Sequence, residues 1–212
     1  MEHSGQRHKM TLPAVSPLPC VPYMATQQWY AEWLRQRLNG VDEAVARTAA
    51  SAACRLHPRD FARCELQSAA GGIRLSVAVE GGSSILKRLP PEAVVMSGHG
   101  RWPAVHLGAL NALYARTPYF DHLHDSLTAA YNDIEGNPLY ELCERLHSIQ
   151  TALLLPADTL RSFVMLSPAE YLRLRTVCSD YAQVYRPGVP FIYLLMRYGP
   201  DAIFVLLSVV QE

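Results

Sequence analysis

The residues best suited to chemistry lie between Trp102 and Leu127, in the run WPAVHLGALNALYARTPYFDHLHDSL. Trp102, His106 and Tyr114 fall on neighbouring turns of a 3.6-residue period, with Asn111 diagonal to them. Tyr119 and Phe120 follow Pro118, where a helix must end. Buried Trp, Tyr and His side chains each need a polar partner, so such a row either lines a site or forms a hydrogen-bonded core. As a site, Trp102, Tyr114 and Tyr119 would contact a sugar or nucleotide. His106, whose unperturbed pKa lies near ~6.5, would then move a proton as general acid or base. As a core, His106 is an ordinary histidine bonded to backbone.

Other groups stand apart from that row. Arg63 and Glu65 share one face of an expected strand, with Cys64 on the other, and an arginine there suits the bidentate binding of phosphate or carboxylate. The competing reading is a surface pair of Arg63 with Glu65 or Asp60. Cys20 lies just ahead of a helix start, where the macrodipole favours a thiolate. With His106, and Asn111 as orienter, it would make a Cys-dependent hydrolase, although no nucleophile signature surrounds it. His122 and His124, flanked by Asp121 and Asp125, could share a metal on a strand but point apart on a helix. The segment reads helical, so no metal is expected. Gly81-Gly82-Ser83-Ser84 lacks the lysine of a phosphate loop, and no cofactor is expected.

These groups must be positioned by a mixed set of elements. Thr26 can cap a helix running to Asn39-Gly40, with Trp29, Trp33 and Leu34 on its apolar face. Three strands are expected, at 43–54, 61–67 and 73–80. The last two alternate at period two around Ala-Ala-Gly-Gly and form a hairpin in the middle of an antiparallel sheet, burying Leu66, Leu75 and Val77. The alanine-rich 43–54 run competes as helix, and 93–96 adds a short strand. Helical periodicity returns over 102–133, broken near Pro118, and over 139–154 after Asn137-Pro138. Ser167-Pro168-Ala169-Glu170 opens a short helix, and a last one runs from Ile192 and restarts after Gly199-Pro200. The fold class is α+β, an antiparallel sheet packed with helices that lie mostly in the C-terminal half. Residues 1–12 read as a flexible tail and 13–212 as a single domain.

Composition narrows the function classes. The 212 residues carry 19 acidic and 19 basic side chains, so no global field draws the chain to nucleic acid or anionic lipid. Five cysteines with no C-x-x-C pair argue against a zinc ribbon and a disulfide framework and fit a reducing compartment. No apolar signal segment opens the sequence. The most apolar stretch, 191–210, is broken by Arg197, Gly199, Pro200 and Asp201, so no membrane span is expected. A cytoplasmic protein with a small-molecule ligand is the expectation, and oligomeric state is open.

Four pieces in order resemble one family. They are Ser16 to Tyr23 running into Trp29-Tyr30; Arg63-Cys64-Glu65-Leu66 with Gly71 to Val79; the Trp102/His106/Tyr114-to-Phe120 segment; and Tyr181 to Tyr185 with Leu194 to Ala202. Together they are similar to the WbqC-like family. The resemblance implies a bacterial protein of surface-polysaccharide (O-antigen) gene clusters, a sugar-modifying or acyl/aminoacyl-transfer enzyme. A nucleotide sugar or acyl donor would be its ligand, held by Arg63, whose place the family motif also fills with arginine. The sequence departs from the family at Phe61, Ala62 and Ala78 and in the 190–195 box, which lacks the family's Ser and Asp. A non-catalytic ligand-binding or protein-interaction member is therefore the alternative.

Overall fold

The computed structural model describes residues 19–68, 71–154 and 181–210. The chain opens with two helices, α1 (Gln27–Leu38) and α2 (Glu43–Ala53). Thr26 caps α1 by accepting from the Trp29 N–H, and Gly40, at φ +76°, stops it after Asn39. The remaining first-turn donors are taken by a distant loop. Gln27 N–H donates to Val189 O at 2.9 Å and Gln28 N–H to Pro187 O at 3.2 Å. The strand expected at 43–54 is α2 instead. Asp42 accepts from Ala44 N–H at 2.9 Å as its cap, alanine is the best helix former, and the buried positions Ala46, Arg47 and Ala50 have helical spacing.

A 3-10 turn (Pro58–Phe61) leads into the hairpin β1 (Arg63–Ser68) and β2 (Gly71–Ser76). Its register pairs Arg63 with Ser76, Glu65 with Arg74 and Leu66 with Ile73; the turn residues 69–70 lie outside the described residues. Leu66, Leu75 and Val77 are buried as expected. The hairpin does not sit inside a wider sheet: among the described residues the sheet is two-stranded. The segment expected as a strand at 93–96 contributes single bridges, Val79 to Met96 and Val95 to Pro138.

Helices α3 (Trp102–Tyr114), α4 (Phe120–Tyr131) and α5 (Leu139–Leu154) follow, with Pro118 in the break between the first two. The helix start expected at Ser167 and the tail expected at 1–12 lie outside the described residues. The last elements are α6 (Ile192–Tyr198) and α7 (Ala202–Val210), joined by a 3-10 turn at Gly199–Asp201. Ile192–Val210 is long and apolar enough to cross a membrane by length and composition, but more than half of it is buried against the other helices. At the joint Gly199 has φ +54°, and a Cβ there would sit 2.2 Å from the Tyr119 ring. The whole is α+β with helices dominating.

Two polar knots lie inside this core. In the first, Arg47, 4% exposed, ties α2 to α5. Its Nε donates to Glu43 Oε1 at 2.7 Å and its Nη1 to Glu144 Oε1 at 2.7 Å. Trp33 Nε1 also donates to Glu43 at 3.1 Å, and His147 approaches it at 3.6 Å while meeting the Tyr30 hydroxyl at 3.0 Å. Burial opposes ionisation of Glu43, but hydrogen bonds from His147 and Arg47 outweigh it and hold the carboxyl at about 2. The second knot centres on His106.

Candidate functional site

Arg63 Cα lies at the mouth of the hairpin, and the Val77 N–H to Ala62 O bond of 2.8 Å sets the ladder's parity. By that parity the backbone groups of Arg63, Gln67 and Ser76 point away from the opposite strand, and a two-stranded sheet offers them no third strand. Helix α3 supplies partners. His106 Nε2 donates to Ser76 O at 3.2 Å, and Tyr114 Oη donates to Gln67 O at 3.1 Å. Trp102 Nε1 donates to Ser97 O at 2.8 Å. The row at helical spacing therefore fastens the hairpin and the 97 loop from beneath.

His106 is 2% exposed, and its second nitrogen is engaged as well. Nδ1 accepts from the Tyr23 hydroxyl at 2.8 Å, and Tyr23 in turn meets the Tyr131 hydroxyl at 2.5 Å. A neutral ring with its proton on Nε2 satisfies both contacts, with Tyr131 donating to Tyr23. Burial lowers the His106 pKa to about 4, against a smaller upward pull from the Ser76 carbonyl, so this neutral form prevails near pH 7. Burial likewise raises the Tyr23 hydroxyl well above its ordinary range.

The open space borders this network without reaching His106: Tyr23 lines one cleft, and Ser76 and Ser97 line another. A cleft of about 500 Å³ is bounded by the 22–28 segment, the 54–65 segment, Arg74 and the 187–190 loop. It contains His57, Arg59, Asp60, Arg63 and Glu65. Its carboxylates are already engaged. Asp60 Oδ2 accepts from the His57 N–H at 2.7 Å, closing a capping box in which His57 Nδ1 accepts from the Arg59 N–H at 3.2 Å. Glu65 accepts from Gln67 Nε2 at 3.1 Å and lies 3.6 Å from Arg74. Arg59 and Arg63 are half-buried, and among the described residues neither guanidinium has a hydrogen-bond or ion-pair partner; the Arg59 Nε is fully shielded from solvent. A second cleft of about 560 Å³ runs along 76–83 to Ser97 and His99. Arg63 lines both.

The residues singled out from sequence thus separate. Arg63 and Glu65 line the first cleft. Trp102, His106 and Tyr114 are buried beneath the hairpin and are not among the residues lining either cleft. Tyr119, half-buried, packs its ring on Gly199 while its N–H donates to Met196 O at 3.1 Å. The Cys20–His106 pair is not formed. The Cys20 thiol is buried and donates to Val21 O at 3.3 Å, and both nitrogens of His106 are engaged elsewhere. A hydrogen bond with Cys143, then burial, pushes the Cys20 thiol far up. Burial also raises Cys54, to about 11, and Cys64, so the cleft's two thiols are protonated near neutral pH. His122 and His124 lie on helix α4, where i and i+2 point apart. Among the described residues no group of three or more His, Cys, Asp or Glu is placed to hold a metal, and Cys20, Cys54, Cys64 and Cys143 are free.

Arg59, His57 and Arg74 were not singled out from sequence. One signal was present: His57-Pro58-Arg59-Asp60 reads as a capped turn with Pro at its first position, which fixes Arg59 immediately ahead of the strand that carries Arg63.

A hairpin covered by helices, with a cleft lined by Arg59, Arg63 and Arg74, defines an α+β protein in which helices dominate. The chain belongs to the WbqC-like protein family, whose model matches residues 58–179. That span opens on the turn carrying Arg59 and takes in the hairpin and helices α3 to α5. No curated protein and no solved structure matches the chain.

Proposed function

We propose that the protein binds an anionic activated donor, a nucleotide-linked sugar or an acyl or aminoacyl donor, in the cleft at Arg63. In this reading it serves as a sugar-modifying or acyl-transferring enzyme in bacterial surface-polysaccharide (O-antigen) assembly, in the cytoplasm. The observation that carries the reading is the pair of half-buried guanidiniums, Arg59 and Arg63, which have no partner among the described residues and lie beside carboxylates that are already engaged. A guanidinium withdrawn from water without a counter-charge is unfavourable, and a ligand phosphate or carboxylate would relieve it with two parallel hydrogen bonds. Glu65 would orient the polar part of the ligand. Trp102, His106 and Tyr114 act here as positioning residues that hold the hairpin.

A non-catalytic, ligand-binding role is the second reading. It is favoured by the double engagement of His106, which leaves that ring no free nitrogen for proton transfer in this conformation. A thermal-shift screen of nucleotide sugars and acyl donors on the whole chain tests the common core of both readings. A ligand at 100 times its Kd stabilises by about 2.7 kcal/mol, and Arg63→Ala should abolish that gain. Product formation by the same chain separates transferase from carrier. A screen in which no anionic donor shifts the melting curve would end the proposal.

A further inference from the structure

The two clefts meet at one residue. Among the described residues Arg63 alone lines both, with the first cleft on the Arg59 side and the second along the 76–83 loop. The two are chemically unlike. The first is walled by flat or apolar groups, Pro22, Leu56, Pro187 and Pro190, with Arg59 beside Arg63. The second is lined by small hydroxyl side chains, Ser76, Ser83 and Ser97, with Glu80 and His99 exposed at its edge. At Gly81 and Gly82 (φ +76° and +72°) no side chain narrows it. The first suits a planar ring; the second suits a molecule rich in hydroxyls, which carboxylate and hydroxyl acceptors can bind.

We infer that the ligand is a nucleoside diphosphate-linked sugar that straddles Arg63. Its diphosphate lies on the Arg59–Arg63 guanidiniums, its base and ribose in the first cleft and its sugar in the second. The inference rests on the proposal that Arg63 holds an anion, and adds how the rest of the ligand divides. Arg63 is the residue the two clefts share. A ligand whose charge sits at its middle places that charge at the junction and one uncharged half on each side. Free phosphate or an acyl donor with a terminal carboxylate would need only one cleft.

The test uses the whole chain, two probes and variants that fill each cleft at an exposed position. Gln28 lies on the first cleft and Ser83 on the second, and both are exposed, so Gln28→Trp and Ser83→Trp fill space without removing core contacts. Binding of inorganic pyrophosphate and of UDP-glucose is measured by calorimetry. Arg63→Ala should weaken both probes by about tenfold or more. Gln28→Trp and Ser83→Trp should each weaken UDP-glucose by about tenfold and leave pyrophosphate within about twofold. If Ser83→Trp leaves UDP-glucose binding unchanged, the ligand does not enter the second cleft and the straddling arrangement is overturned, while the anion site stands. If the unmodified chain binds neither probe, both the arrangement and the anion site fall.

Discussion

Arg47 and Arg63 show two opposite ways to keep a guanidinium out of water. Arg47 is buried where α1, α2 and α5 meet and has two carboxylates within 2.7 Å, so its charge is fully answered inside the protein. Arg63 is half-buried at a cleft junction and has no answering carboxylate among the described residues. The first arrangement stabilises the fold and is closed to ligands; the second contributes little to the fold and is open. The aromatic row is taken up in holding the hairpin, while Arg63 is left without a partner among the described residues.

The largest effect that would test this contrast is the loss of Arg47. Arg47→Ala leaves Glu43 and Glu144 short of their main partner and should cost about 3–5 kcal/mol, read by chemical denaturation. If it costs no more than Arg63→Ala, the contrast fails. Next in size is His106→Ala, which opens a void and leaves the Tyr23 hydroxyl and Ser76 carbonyl unpaired, for a loss of about 2–4 kcal/mol. A near-neutral result would place that ring against a ligand instead.

Acid separates the two knots. The His106 pKa in the fold is about 4, below its unfolded value near ~6.5, so the unfolded chain binds the extra proton first. Stability from its neutral state is whole above pH ~6.5 and is lost as pH falls toward 4. Glu43, held at about 2, contributes stability above its unfolded value near ~4.3 that is lost only as pH falls below that toward 2. Melting curves from pH 7 to 3 should therefore show an early decline that His106→Phe removes and a later one that Glu43→Gln removes. The smallest effect belongs to Arg63→Ala, which should change stability by no more than about 0.5 kcal/mol while ligand stabilisation disappears.

Local patterns were legible in the sequence. Thr26 and Asn39-Gly40 bounded α1, period-two alternation gave the hairpin and its buried face, and Pro118 divided α3 from α4. The 43–54 segment was not, because small residues carry little periodicity and the cap at Asp42 decides it. The site was legible only in part. Arg63 announces itself by residue type, but its cleft is assembled from segments near 25, 60 and 188, and the network around His106 joins residues 83 and 108 positions apart. A row of Trp, His and Tyr at helical spacing looks the same whether the far end of each hydrogen bond is a ligand or a strand carbonyl. Only the fold supplies those far ends.

The contact between Tyr119 and Gly199 carries a consequence for inheritance. Position 199 is doubly constrained, by a left-handed backbone and by an aromatic ring lying where a β-carbon would go. Gly199→Ala should therefore be selected against in any library, and Tyr119→Ala should act as a partial suppressor by clearing the space. Suppression stays incomplete because the backbone strain persists: φ +54° with ψ −129° lies outside the left-handed helical region that Asn tolerates, so Asn, Ala and Val should all stay short of full rescue. The two positions would then drift as a linked pair, though they stand 80 positions apart in sequence.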